Sequence, residues 1–312
     1  MQRNRIFGMG LAAMLLAGAA CTKAPDAEED TAPVPAPDST FGMAGTITPE
    51  KVAKAAGLVT EGKVYALGVI TGPDSVAYPG RSFSIIAYDG GPAQGANKVT
   101  AHDDRLETHV GIGSQIDGFG HIGRDGVHFG GRKREDFFAA DGLKELGTEH
   151  IPPIATRGVL LDMAKHFGVE RLEPMQGFGR EDIQAAAEAQ GVTIGHGDVV
   201  LFHTGWLTME QENGEAYIAQ QPGISIDGAE YLAELGVVAI GADSAALETM
   251  AFEGGNVFPV HQFLLVDAGI YVLETMNTAE LAADGAHEFF FVLGQPRFAG
   301  SVQAVINPIA IR

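Results

Sequence analysis

Short apolar runs of strand length alternate with helical stretches through the second half of this chain. Residues 199–203 read as a buried strand, 226–235 as a helix closed by Gly236, and 237–240 as the next strand. Residues 261–268 then read as a short helix ended by Gly269, and 270–274 as another strand. Such alternation restricts the chain to an α/β body with a mixed sheet. Residues 289–293 and 302–311 supply the last strands, and 180–190 a helix stopped by Gly191. In the first half, 49–57 predicts a helix and 64–69, 82–88 and 110–117 predict strands. Residues 158–167 predict a short extended run that turns into helix.

The chain has 312 residues, 46% of them hydrophobic, which is ample for a sizeable core. No linker-like change of composition interrupts residues 45–312, so they read as one domain. The net charge of -20 argues against nucleic-acid binding, which needs a basic footprint. Residues 1–21 read as a targeting segment: Arg3 and Arg5 precede an apolar stretch at 8–20 that is too short for an ordinary transmembrane helix. The segment ends at Cys21, the one cysteine, and resembles a bacterial lipoprotein signal, with Gly18 where that pattern prefers Leu. It implies a lipid anchor at Cys21 in the cell envelope, facing the periplasm or the exterior, and no other membrane contact. Ordinary secretion, with cleavage after Ala17-Gly18-Ala19, is the alternative. With no second cysteine there is no intrachain disulfide, and stability must come from the core. Residues 22–44, rich in Pro, Ala and acidic groups, read as a disordered tether.

Two segments place ionisable groups among glycine or apolar neighbours, where a charge is costly unless compensated. The first is 113–121, GSQIDGFGH. With 110–117 as a strand, Gly111, Gly113, Gln115 and Asp117 share one face, and Val110, Ile112, Ser114 and Ile116 the other. Glycines inside a strand mark close approach of a ligand or another backbone. The first face therefore reads as the floor of a site, with His121 turned back toward Asp117. A glycine-rich turn with a capping Asp117 and a surface His121 is the plainer alternative. The second segment is 261–274, HQFLLVDAGIYVLE. About seven helical residues carry the chain out roughly 10 Å, and the strand after Gly269 returns it a similar distance at ~3.3 Å per residue. His261 and Glu274 are thus expected to meet. Glu274, flanked by apolar neighbours, needs a cation, a donor cluster or a raised pKa. A divalent metal shared with His261 meets that need; a basic partner such as Arg297 is the alternative.

Together, and in this order, the two segments resemble the cyclase family that includes kynurenine formamidases and isatin hydrolases. Its second signature is a His, a pair of leucines, a Gly, and a Glu at the end of the next strand, all kept in HQFLLVDAGIYVLE. GVLLD (158–162), GDVVLFHTGW (197–206), PGISIDGAEYLAELGVVAIGADSAALE (222–248) and NPIAI (307–311) are similar as well, so the resemblance covers roughly residues 45–312. The first signature, H-x-G-T-H-x-D-x-P-x-H, is altered. Gly111 and Gln115 stand at its two ligand histidines, Ser114 at its Thr and Phe119 at its Pro, while Asp117 and His121 are kept.

The resemblance implies a barrel-like mixed sheet flanked by helices, of the swivelling β/β/α type, and a homodimer. It implies one divalent ion, Zn²⁺ or Mn²⁺, on Asp117, His261 and Glu274, with Gln115 as a weaker oxygen ligand. A second ion would need His109 or His203 to rebuild the altered position, and His109 reaches it only through a sharp bend at Gly111 or Gly113. The implied activity is hydrolysis of a C–N bond in an amide or cyclic amide, such as an aryl formamide or a lactam-like small molecule. The ion would polarise the carbonyl and acidify water, and His121 would serve as general base and acid. Phe119 and Trp206 are expected as apolar walls of the substrate pocket, with His203 lining it and Asp243 either orienting a ligand or structural. The rival is a small-molecule-binding lipoprotein of the same fold without catalysis. The altered first signature favours the rival; retention of Asp117, His121, His261 and Glu274 favours the enzyme.

Overall fold

The most apolar runs of the chain become the centre of one nine-stranded sheet, in a computed structural model that describes residues 34–252 and 254–312. The targeting segment, Cys21 and the first part of the tether lie outside the described residues. The strands of the sheet are β1 (Val64–Ala66), β4 (Gln115–Asp117), β5 (Ile154–Asp162), β6 (Val199–His203), β7 (Ala239–Ala242), β8 (Tyr271–Glu274), β9 (Glu288–Leu293), β10 (Gln303–Val305) and β11 (Ile309–Ile311). Two further strands, β2 (Phe83–Asp89) and β3 (His102–Thr108), form a separate antiparallel ribbon exposed along nearly its whole length.

The order across the sheet is β1-β11-β9-β5-β6-β7-β8-β4-β10. The four central strands, β5 to β8, are parallel. Their side chains are almost all buried, as expected where both faces of a parallel sheet are covered. Antiparallel strands close both sides, and the sheet curls into a half-barrel flanked by helices. α1 (Pro49–Ala56) packs on β5. Its Thr48 cap accepts from Lys51 N at 3.3 Å, and Pro49 needs no intrahelical partner for its missing N–H. α2 (Met163–Phe167) follows β5 directly. α3 (Arg180–Gln190) and α4 (Ile226–Glu234) pack on each other, with Ile183 and Ala186 of α3 and Ala229 and Leu232 of α4 buried.

Several boundaries differ from the sequence reading. The extended run expected near 158 begins at Ile154, because β5 pairs with β9 over residues 154–159 and with β6 over 158–162. Residues 302–311 hold two strands: β10 at one edge of the sheet, and β11 toward the other, between β1 and β9. The expected strand at 110–117 shrinks to β4, since Gly113 has φ +71°, outside the extended region. The folded body also begins before residue 45. Asp38 and Gly42 form a bridge, Met43 N donates to Gly269 O at 2.7 Å, and Met43 and Ala44 are buried.

Candidate metal centre

β4 runs antiparallel to β8, in a register that sets Asp117 opposite Val272 and Gln115 opposite Glu274. β10 pairs with the other edge of β4 and sets Gln303 opposite Asp117. Cross-strand partners share a face, so Gln115, Asp117, Glu274 and Gln303 point the same way. The third group arrives from α5 (Pro259–Gln262), which continues as a π-helical stretch, Phe263–Ala268, before Gly269 turns the chain into β8. His261 Nε2 stands 3.0 Å from Glu274 Oε1 and 3.6 Å from Asp117 Oδ2.

All three side chains are buried, and their donor atoms lie within 4.8 Å of one another. The remaining oxygens are taken. Gln303 Nε2 donates to Asp117 Oδ1 at 2.7 Å, and Gln115 Nε2 donates to Glu274 Oε2. Of the cluster's carboxylate oxygens, Asp117 Oδ2 is the one buried without a hydrogen-bond partner. Behind His261, Glu248 accepts from Val260 N at 3.1 Å and His261 N at 2.9 Å, and its Oε1 lies 2.6 Å from His261 Nδ1. A carboxylate on the far nitrogen fixes the ring so that Nε2 faces the cluster. The residues therefore fit a divalent ion: an imidazole nitrogen and two carboxylate oxygens converge, one of those oxygens lacks any other partner, and the imidazole is held from behind.

The electrostatics agree. Burial and the nearby Asp117 push the Glu274 carboxyl up, against the opposing pull of His261 and Arg81. Burial by itself would lower His261, but Glu248 and Glu274 outweigh it and raise it well above the ordinary histidine range. Without an ion, Glu274 and His261 thus both hold their protons more firmly than usual. His121 Nε2 lies 3.7 Å from Asp117 Oδ2, with the side chain 24% exposed, so it stands at the rim. Burial holds its pKa below the ordinary value despite Asp117, with His261 and Arg81 acting in the same direction as burial. Backbone strain accompanies the site: Leu247, Phe258 and Thr275 all have left-handed φ, and they adjoin Glu248, α5 and Glu274.

The family model described as Cyclase matches residues 43–249. The chain belongs to the cyclase family. Among solved structures, one described as a novel cyclase has TM-score 0.79 at 24% identity, covering 88% of this chain and 97% of its own. Isatin hydrolase A from Ralstonia solanacearum has TM-score 0.60 at 18% identity, covering 86% and 99%. A structure described as a predicted metal-dependent hydrolase from Bacillus stearothermophilus has TM-score 0.54 at 18% identity, covering 80% and 98%. At these identities the likeness concerns the fold. No curated protein sequence matches the chain.

For a cyclase-family chain, several expected site residues are placed elsewhere. Gln115 is in the site but turns its amide nitrogen, not its oxygen, to Glu274, so it braces a carboxylate instead of offering a ligand. Phe119 walls a different pocket, which it lines with Tyr271, Leu146 and Ile151 and to which Asp117, His261 and Glu274 do not contribute. It stacks on Tyr271 at 4.4 Å between ring centres and packs on Phe129, and Tyr271 projects from the face of β8 opposite to Glu274. Trp206 is fully buried, donates from Nε1 to Tyr217 O at 3.0 Å, and packs against Val76. His203 stands two strands away from β8. Its Nδ1 meets Thr278 Oγ1 at 2.8 Å, and it lines a separate depression with Gln211 and Glu212. Asp243 accepts from Thr204 N at 2.9 Å and Gly205 N at 2.8 Å, a structural clamp on the turn after β6. His109 is exposed at the end of the ribbon, 2.9 Å from Ser82 N through Nδ1, and does not join the cluster. Arg297 donates to Glu149 O at 3.1 Å, not to Glu274.

Four residues near the cluster escaped the sequence reading: Glu248, Gln303, Tyr78 and Arg81. Glu248 lies within a stretch that resembles the family, yet nothing in its spacing ties it to His261. Tyr78 and Arg81 come from the loop 67–82, which has no periodicity.

Proposed function

We propose that this chain is a metal-dependent hydrolase that cleaves a C–N bond in an amide or cyclic amide, an aryl formamide or lactam-like small molecule. One divalent ion, Zn²⁺ or Mn²⁺, is held by Asp117, His261 and Glu274. The observation that carries this reading is the unpartnered Asp117 Oδ2, buried where His261 Nε2 and Glu274 Oε1 converge. Membership of the cyclase family supports it, as does a fold shared with proteins described as isatin hydrolase and as a metal-dependent hydrolase. One oxygen of each carboxylate faces His261, which favours one ion over two, because Gln303 and Gln115 occupy the others.

A bound divalent ion supplies Lewis acidity toward a carbonyl and lowers the pKa of water. His121, neutral near pH 7 and at the rim, accepts the proton of the attacking water and returns it to the leaving nitrogen. Water is consumed as the C–N bond breaks: an open amide gives a carboxylic acid and an amine, and a cyclic amide opens to one molecule that carries both. Asp117 Oδ2, 3.7 Å from His121 Nε2, favours through space the imidazolium that forms. In the cell the chain is anchored through Cys21 in the envelope and acts as a homodimer. The exposed Ile85, Ile86, Tyr88 and Leu106 of the ribbon support that assembly.

The test is turnover of formanilide and of simple lactams by the ion-loaded full chain and by His121→Ala. Product release by the wild type, lost in the variant at unchanged ion content, supports the hydrolase. Small-molecule affinity without turnover in either protein favours the binding lipoprotein.

A further inference from the structure

The loop 67–82 crosses the carboxyl edge of the central strands. Asn277 N donates to Leu67 O at 2.8 Å, Val69 N to Ser114 Oγ at 2.9 Å, and Val76 packs on the Trp206 cluster. The loop so fixed carries Tyr78, whose hydroxyl accepts from the buried Gln221 at 3.1 Å, and Arg81, whose guanidinium lies 5.2 Å from the Tyr78 ring centre. Arg81 Nη1 donates to Gly111 O. A Cβ on Gly111 would lie 2.6 Å from that nitrogen and 2.6 Å from Gln303 Oε1, so only glycine leaves the guanidinium this place. Gln303 in turn donates to Asp117. The positive charge thus stands one amide group away from the candidate metal ligand, and it lowers Glu274 and His121 through space.

Yet among the described residues Arg81 forms no ion pair, and the one hydrogen bond of its guanidinium is to Gly111 O. A guanidinium has five N–H donors. Held by the Gly111 carbonyl and the Tyr78 ring, this one is kept off both site carboxylates with most of its donors unspent. An ion on Asp117 and Glu274 offsets their negative charge and leaves Arg81 as a further fixed cation beside the reacting position. Its planar fork matches a carboxylate.

We propose that Arg81 recognises a carboxylate on the substrate, so that the preferred substrates are anionic amides whose carboxylate lies beside the scissile bond. This rests on the reading of the site as a metal-dependent hydrolase. The experiment measures benzoate and benzamide affinity by calorimetry for the Zn²⁺-loaded full chain, Arg81→Gln and Arg81→Lys, with Zn²⁺ content measured on the same samples. Benzoate is expected to bind the wild type more tightly than benzamide. Arg81→Gln should weaken benzoate by about tenfold or more and leave benzamide within about twofold. Arg81→Lys, which keeps the charge but not the fork, should recover part of the loss. Equal benzoate affinity in wild type and Arg81→Gln at equal Zn²⁺ content, or no benzoate binding by the wild type, overturns the proposal. Failure of the wild type to hold Zn²⁺ contradicts the metal reading instead; the dependence of benzoate binding on Arg81 is then read in the ion-free protein, by the same criterion.

Discussion

Asp117 Oδ2 lies 3.6 Å from His261 Nε2 and 3.7 Å from His121 Nε2, and it is bonded to neither. Nearby carboxylate oxygens have donors: Gln303 on the other oxygen of Asp117, Gln115 on Glu274, and two backbone amides on Glu248. A single bare carboxylate oxygen in a buried, well-satisfied polar cluster fits a bound cation.

Removing the charge of Asp117 should separate ion binding from stability. Asp117→Asn keeps the shape but removes the repulsion that helps raise Glu274. Thermal unfolding of the ion-free protein should shift upward by a few degrees, for a gain of about 1 kcal/mol. Added Zn²⁺, which should stabilise the wild type, should then stabilise the variant little.

Glu248 is expected to act through His261. Glu248→Gln cannot accept from the two amides and from Nδ1–H as a carboxylate does. Ion affinity measured by competition with a chelating dye should fall about 10- to 100-fold, while far-ultraviolet circular dichroism stays unchanged.

The ion-free protein should respond to pH with a definite sign. Glu274 and His261 are both raised in the folded state, Glu274 to about 7. The folded protein then holds more protons than the unfolded chain, so these groups contribute stability at low pH that is lost as pH rises through their folded values. Between pH 5 and 8, the ion-free wild type should lose stability relative to Glu274→Gln, as read by urea denaturation. Zn²⁺ should recover more of that loss at pH 8 than at pH 5, because its ligands must be deprotonated.

The parts of the fold legible in the sequence are those where local pattern and burial coincide. β6 and β8 are buried on both faces, so they read as unbroken apolar runs, and Gly269 marks the reversal that returns Glu274 to His261. Strand parity failed at 110–114, because one left-handed glycine breaks the alternation on which it depends. β3 was invisible because a ribbon strand exposed on both faces, HDDRLET, has no apolar period. Phe119 and Trp206 carry no local sign of whether they face a cavity or a core. Arg81 was out of reach for a related reason: a loop places it beside Gly111, and only the folded chain brings the two together.

Gly111→Ala tests that close approach. The new methyl would collide with Arg81 Nη1 and with Gln303. Benzoate affinity should fall as it does in Arg81→Gln. Zn²⁺ content should stay near that of the wild type, because no donor atom of Asp117, His261 or Glu274 lies among the nearest clashes.

The most direct test of the account is the amount of divalent metal bound per chain, by elemental analysis of the full chain purified without chelator, beside His261→Ala and Glu274→Gln. The account predicts about one Zn²⁺ or Mn²⁺ per wild-type chain, and its loss from both variants, since each removes one of three converging donors. A wild-type chain that stays metal-free after both ions are supplied would contradict it, and would leave the buried cluster of Asp117, His261 and Glu274 as a proton-bridged structural network.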